Sequence, residues 1–206
     1  TMNMSQQSNQ HLEITPSNVT SDGKLSFKNG QPVIQFIIGE QERYLLGQTI
    51  RLVGEFSVLN GVGAAGSANA KLTMDGRTSL YSTIDQLVIK SQATNQTIEH
   101  IRDYNRFMSS YLATTNDLND GLSFNNNANL QVLNSKAIKR GVVDSDYALN
   151  DQSMSFALSL PCGLFNGTPP IPMSRTWGVG GLIVEIHLAS DNNVLFANDG
   201  VGTDIS

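Results

Sequence analysis

The sequence predicts an all-β protein, two antiparallel sheets packed as a sandwich, with one amphipathic helix in a loop between strands. Three observations carry that prediction. Apolar residues alternate with polar ones in most of the apolar segments, the period of a strand with one buried face. Turn-forming pairs punctuate the chain at Asp22-Gly23, Asn29-Gly30, Asn60-Gly61, Asp75-Gly76 and Pro169-Pro170. There is no regular strand–helix–strand alternation and no internal repeat of fixed period, which argues against a parallel sheet or a repeat array.

The elements follow in order. The polar first ten residues, Thr1 to Gln10, are expected to form a flexible arm, with residues 11–206 as one domain. They lack the basic-then-apolar order of a signal peptide. Leu12 and Ile14 make a short apolar pair. Val33 to Ile38 is nearly continuous in apolar character, as expected of a strand buried on both faces or beneath an arm. From Ile50 the alternation is clear: Ile50, Leu52, Phe56 and Val58 share one face, and Arg51, Glu55 and Ser57 the other. Leu87 and Ile89 share a face of the next strand. Toward the C-terminus, Met154, Phe156, Leu158 and Leu160 alternate with small polar residues. Leu182, Val184, Ile186 and Leu188 alternate with Ile183, Glu185 and His187.

One segment departs from period two. Ile98, Ile101, Tyr104, Phe107, Met108, Tyr111 and Leu112 recur at helical spacing, predicting a helix from about Asn95 to Ala113. Thr94 or Asn95 would cap it, and Glu99 would sit in its first turn. The stretch from Asn116 to Asn129 is expected to be a long loop.

Composition narrows the function. Only 15% of the 206 residues are charged and the net charge is -5. Coating a nucleic acid requires clustered Lys and Arg. The densest basic group, Lys136, Lys139 and Arg140, holds three charges and fits a solvated turn. No direct nucleic-acid binding is expected. No apolar run is long enough to span a membrane. Cys162 is the single cysteine, so no disulfide within the chain is possible.

Motif matches fail on physical grounds. Gly61, Gly63 and Gly66 spell a dinucleotide-binding pattern, with Asp85 about twenty residues on. That site requires a helix opening at the third glycine, and Asp75-Gly76 interrupts the chain too soon. Cys162 with His187 makes a poor nucleophilic pair, one at the end of a buried strand and the other on an outward face. His11, His100 and His187 are scattered, and Asn116 to Gly121 has Leu118 where a calcium loop needs an oxygen. Asn18, Asn95 and Asn166 open glycosylation patterns, read as chance matches. No catalytic, cofactor-binding or metal-binding residue is expected. Trp177, Arg175 and Met173, with Pro172, lie in a Gly- and Pro-flanked loop and are candidate interface anchors. For Trp177 the alternative of capping the sandwich core is equally open.

Several stretches together resemble the penton, or minor capsid, proteins of virophages, polinton-like viruses and polintons. They are Val33-Ile34-Gln35-Phe36-Ile37-Ile38-Gly39 with Arg43-Tyr44-Leu45, then Gly47-Gln48-Thr49-Ile50-Arg51-Leu52-Val53-Gly54 and Leu80-Tyr81-Ser82-Thr83-Ile84-Asp85. Ile98-Glu99-His100-Ile101 with Tyr104-Asn105-Arg106 follows. Leu158-Ser159-Leu160-Pro161-Cys162-Gly163-Leu164-Phe165, Ile171-Pro172 and Gly180-Gly181-Leu182-Ile183-Val184-Glu185-Ile186 complete the set. The resemblance implies a single jelly roll forming homopentamers at the fivefold vertices of an icosahedral DNA virus. It would neighbour a double jelly-roll major capsid protein, assemble inside the host cell and end in the virion. No catalytic residue carries over from the family. Two other expectations stay open: a sole or major coat protein of a small icosahedral virus, and a carbohydrate- or receptor-binding β-sandwich. The last requires a concave site with exposed aromatics and paired polar groups.

Overall fold

The computed structural model describes residues 10–18, 27, 33–57, 71–73, 78–115, 153–167, 169–190, 194 and 196–198. Among them the protein is all-β. The strands are β1 (Ile34–Ile38), β2 (Tyr44–Leu45), β3 (Arg51–Ser57), β4 (Lys71–Thr73), β5 (Ile84–Ser91) and β6 (Thr97–Ile101), followed by β7 (Ser153–Ser159), β8 (Ile171–Pro172), β9 (Leu182–Leu188) and β10 (Phe196–Asn198). A helix of 12 residues, α1 (Tyr104–Thr115), follows β6, and a single turn, α2 (Gly163–Asn166), follows β7.

Every pairing is antiparallel. Four strands form one sheet in the order β1-β9-β5-β6, and β3 with β7, β2 with β8, and β4 with β10 form two-stranded ribbons. Three pairings are nested about a common centre. Ile34 faces Ile186, Tyr44 faces Pro172, and Arg51 faces Ser159. The chain thus runs out along β1, β2 and β3 and returns alongside itself through β7, β8 and β9.

The period-two pattern explains which faces are buried. Leu182, Val184 and Ile186 are buried, with Ile183, Glu185 and His187 between them half-exposed. Leu87 and Ile89 of β5 lie on the same inner face, opposite Ile101 and Glu99 of β6. The outer face is laced with polar groups. Lys90 pairs with Glu185 at 2.8 Å, Gln35 donates to Glu185 at 3.2 Å, and His100 bonds Gln86 at 3.0 Å. On β3, Leu52 faces Leu158 and packs on the core, whereas Val53 is exposed.

Strand β1 stands at the edge of the four-stranded sheet, and only Ile37 of it is exposed. Residues 17–18 run along this edge. Ser17 donates its backbone N–H to the Gln35 carbonyl, and Asn18 accepts from the Gln35 N–H and donates to the Val33 carbonyl. These contacts occupy edge groups that would otherwise offer a template to another chain. Residues 1–9 of the arm predicted at 1–10, the glycine motif at 61–66, the loop at 116–129 and the basic group at 136–140 lie outside the described residues.

The predicted helix needs a correction. It begins at Tyr104, and residues 97–101 are strand β6. Ile98 and Ile101 fit a helical spacing, but Thr97, Ile98 and Ile101 are β-branched residues suited to a pleated surface. Hydrogen bonds to β5 satisfy their backbone instead. Thr94 and Asn95 make the β5–β6 turn, with Asn95 at φ 57°. The Thr94 hydroxyl accepts from Gln96 N–H at 3.4 Å and caps no helix. Within α1 the reading holds: Tyr104, Met108 and Leu112, spaced by four, bury one face.

Candidate functional site

The antiparallel order of the four-stranded sheet fixes where the loops gather. The C-terminal ends of β1 and β5 and the N-terminal ends of β6 and β9 lie at the same end. Three connections therefore meet there: residues 39–43, 92–96 and 173–181. Backbone bonds tie them together. Met173 donates to the Arg43 carbonyl at 3.0 Å, and Gln92 donates to the Gly181 carbonyl at 3.0 Å. The Ser91 hydroxyl donates to the Val179 carbonyl at 2.7 Å.

This end presents Trp177. The indole is 77% exposed, so the capping alternative is excluded. Arg175 is also exposed, its guanidinium 3.8 Å from Glu40 and its backbone N–H donating to the same carboxylate at 2.8 Å. Met173 differs. At 3% exposure it belongs to the core, where it joins the cluster that holds Ile171 and Phe165. Its backbone N–H ties the loop to Arg43.

The neighbour that sequence reasoning missed is Tyr44, 71% exposed and paired through β2 with Pro172. Its signal was the alternation at Tyr44-Leu45, where Leu45 packs on the core and so turns Tyr44 outward. Tyr44 and Trp177 line a groove of about 360 Å³ with Glu42, Arg43, Pro172 and Ser174. The Ser174 hydroxyl donates to Glu42 at 3.1 Å, and Arg43 donates to Gln10. The Trp177 loop is tightly held. Gly178 donates to the Ser174 carbonyl at 2.8 Å, and Thr176 donates to the Ser174 hydroxyl at 3.2 Å. A Cβ at Gly178 would lie 2.1 Å from the Pro172 carbonyl oxygen, so only glycine allows the approach.

A second concavity, about 530 Å³, is lined in part by Gln48, Arg51, Tyr111, Ser159, Leu160 and Phe165. Below it a polar knot joins β6 to α2. Glu99, on the inner face of β6, accepts the backbone N–H groups of Gly163 and Leu164 at 2.7 and 2.8 Å. The residue expected in the first turn of a helix therefore sits on a strand and serves the start of a different helix. The Cys162 sulfur accepts from Phe165 N–H at 3.4 Å, and the Tyr104 hydroxyl donates to the Pro161 carbonyl at 3.0 Å.

Cys162 is buried, and desolvation, opposed by the Phe165 bond and reinforced by the Glu99 charge, pushes its thiol up to about 12. His187 lies on β9, on the face opposite the buried Val184 and Ile186. Very little of the thiol is then ionised at pH 8, against roughly one in four for an ordinary cysteine. Iodoacetamide at pH 8 should therefore label the native protein far more slowly than the urea-unfolded chain. Equal rates in both would contradict this environment. The same shift bears on stability. The unfolded chain loses this proton near its ordinary value and the folded one only near 12, so stability is unaffected below about pH 8 and falls as pH rises above 9.

Among the described residues no three His, Cys, Asp or Glu side chains are grouped to hold a metal ion. No helix among them is long and apolar enough to cross a membrane. Comparison of the chain with protein-family models, with curated proteins and with solved structures finds no match.

Proposed function

We propose that this chain is a structural capsid subunit, a single jelly roll that assembles into homopentamers at the fivefold vertices of an icosahedral DNA virus. The observation that carries the reading is the nested pairing of β1 with β9, β2 with β8, and β3 with β7. A long antiparallel hairpin wrapped on itself in this way is the jelly-roll plan, common in viral shells and lectins. The penton-like stretches of the sequence fall largely on these same elements. Low charge agrees with a surface largely covered by neighbours, since charged groups are depleted in interface cores.

In this reading the protein does no catalysis and binds no genome. Its partners are four further copies of itself and an adjoining double jelly-roll major capsid protein. It assembles inside the host cell and works in the virion. A closed ring of five needs a heterologous contact, one face of each subunit against a different face of the next. Exposed Val53, on the outward side of β3, marks one candidate lateral face.

The deciding measurement is mass in solution, alone and with the neighbouring capsid protein. The expected species has five times the 22.3 kDa of the chain, with five-membered rings in negative-stain images. A protein that stays monomeric at high concentration and with its capsid neighbour present would refute the proposal. Quasi-equivalent shells built from this chain alone would instead identify a sole coat protein.

A further inference from the structure

The groove at the loop end is better equipped than a shell contact requires. Tyr44 and Trp177 are among the most exposed large side chains described, yet both sit on segments pinned by hydrogen bonds. Two exposed aromatics that line one groove make a contiguous apolar patch, the kind of surface that marks a ligand-binding groove. The same groove is lined by the carboxylate of Glu42 and the guanidinium of Arg43. We propose that this groove binds a neutral saccharide, a function beyond the shell role.

The chemistry points to that ligand class. A sugar ring offers an apolar C–H face, which stacks on an aromatic ring, and a rim of hydroxyls that both donate and accept. Glu42 supplies acceptors and Arg43 supplies donors in a fixed fork, while the buried Ser174 hydroxyl, donating to Glu42 and accepting from Thr176, holds the carboxylate in place. Charge at the site balances: Glu40 and Glu42 are offset by Arg43 and Arg175. That balance gives no net attraction for a phosphate or an acidic peptide. At about 360 Å³ the groove is near the lower end of small-ligand sites and suits a mono- or disaccharide unit. A subunit contact buries roughly 800 Å² on each partner, much more than one such groove offers. The pinned loop leaves little to order on binding, which removes a usual cost of association.

Trp177 is the only tryptophan, so its fluorescence reports this groove. The full chain would be screened on an array of neutral glycans, then titrated with chitotriose, cellotriose and N-acetyllactosamine while Trp177 emission is followed. The expected result is array binding and a saturable emission change with affinity on the order of 1 mM for at least one sugar. Tyr44→Ala should abolish the emission change. Trp177→Ala should abolish array binding, and both variants should keep the oligomeric mass and thermal midpoint of the parent. Absence of binding on the array overturns the proposal. Acrylamide quenching of the assembled protein separates it from the shell reading. If assembly shields Trp177, the groove is a subunit contact and the saccharide proposal fails while the shell reading stands. If the chain binds sugar but never assembles, the shell reading fails and this one stands.

Discussion

Replacing Tyr104 with alanine is expected to destabilise the protein by roughly 3–5 kcal/mol, the range for emptying a large aromatic from a core. Tyr104 opens α1, is 0% exposed, and packs in the cluster that also holds Met108, Leu158 and Ile186. The substitution removes the ring, leaves a cavity and orphans the Pro161 carbonyl that the hydroxyl now serves. Burial raises the phenol above its ordinary value, so it remains a donor throughout the usable pH range. Tyr104→Phe separates the two contributions. It keeps the ring and removes only the donor, and should cost roughly 1–3 kcal/mol, the range for a buried acceptor left unpaired. Urea unfolding midpoints of the three proteins measure both. An alanine variant within about 1 kcal/mol of the parent would mean that α1 is not anchored through this residue.

Glu99→Gln is expected to cost roughly 1.5–3 kcal/mol, the range for hydrogen bonds to a charged group. The carboxylate accepts from two backbone N–H groups, Gly163 and Leu164, with one oxygen each. The amide offers one oxygen, and its NH₂ group then opposes the second N–H. The neighbouring Cys162–Phe165 bond belongs to the same turn and should loosen with it. Hydrogen exchange should therefore quicken at Gly163, Leu164 and Phe165 before it does in β5 or β9. The same exchange rates in both proteins, with no loss of stability, would show that α2 holds its place without the carboxylate.

Much of the strand framework was legible because alternation is a local property. Leu182, Val184 and Ile186 declare an inner face within seven residues, and the structure buries them together. The helix start was not legible. Ile98, Ile101 and Tyr104 satisfy a helical spacing by coincidence, and only hydrogen bonding to β5 assigns the first two to a strand. Glu99 was misplaced for the same reason. Its partners are 64 and 65 positions away in the chain, beyond the reach of any periodicity. The candidate surface was half legible. Trp177 and Arg175 stood out in a Pro- and Gly-flanked loop, whereas Met173 proved to be core and Tyr44 was not read as a surface anchor.

The sequence by itself determined that this is a strand protein with an amphipathic helix near the middle of the chain. It did so because burying one face of a pleat forces period two on the residues that form it. Only the tertiary structure decided which strands pair, and that choice nests β1 with β9 around β3 with β7. It also brought Tyr44 and Trp177 to one groove, although they are more than a hundred residues apart. The register of β2 against β8 joins their segments, and register is fixed by packing across the whole fold and by no local signal.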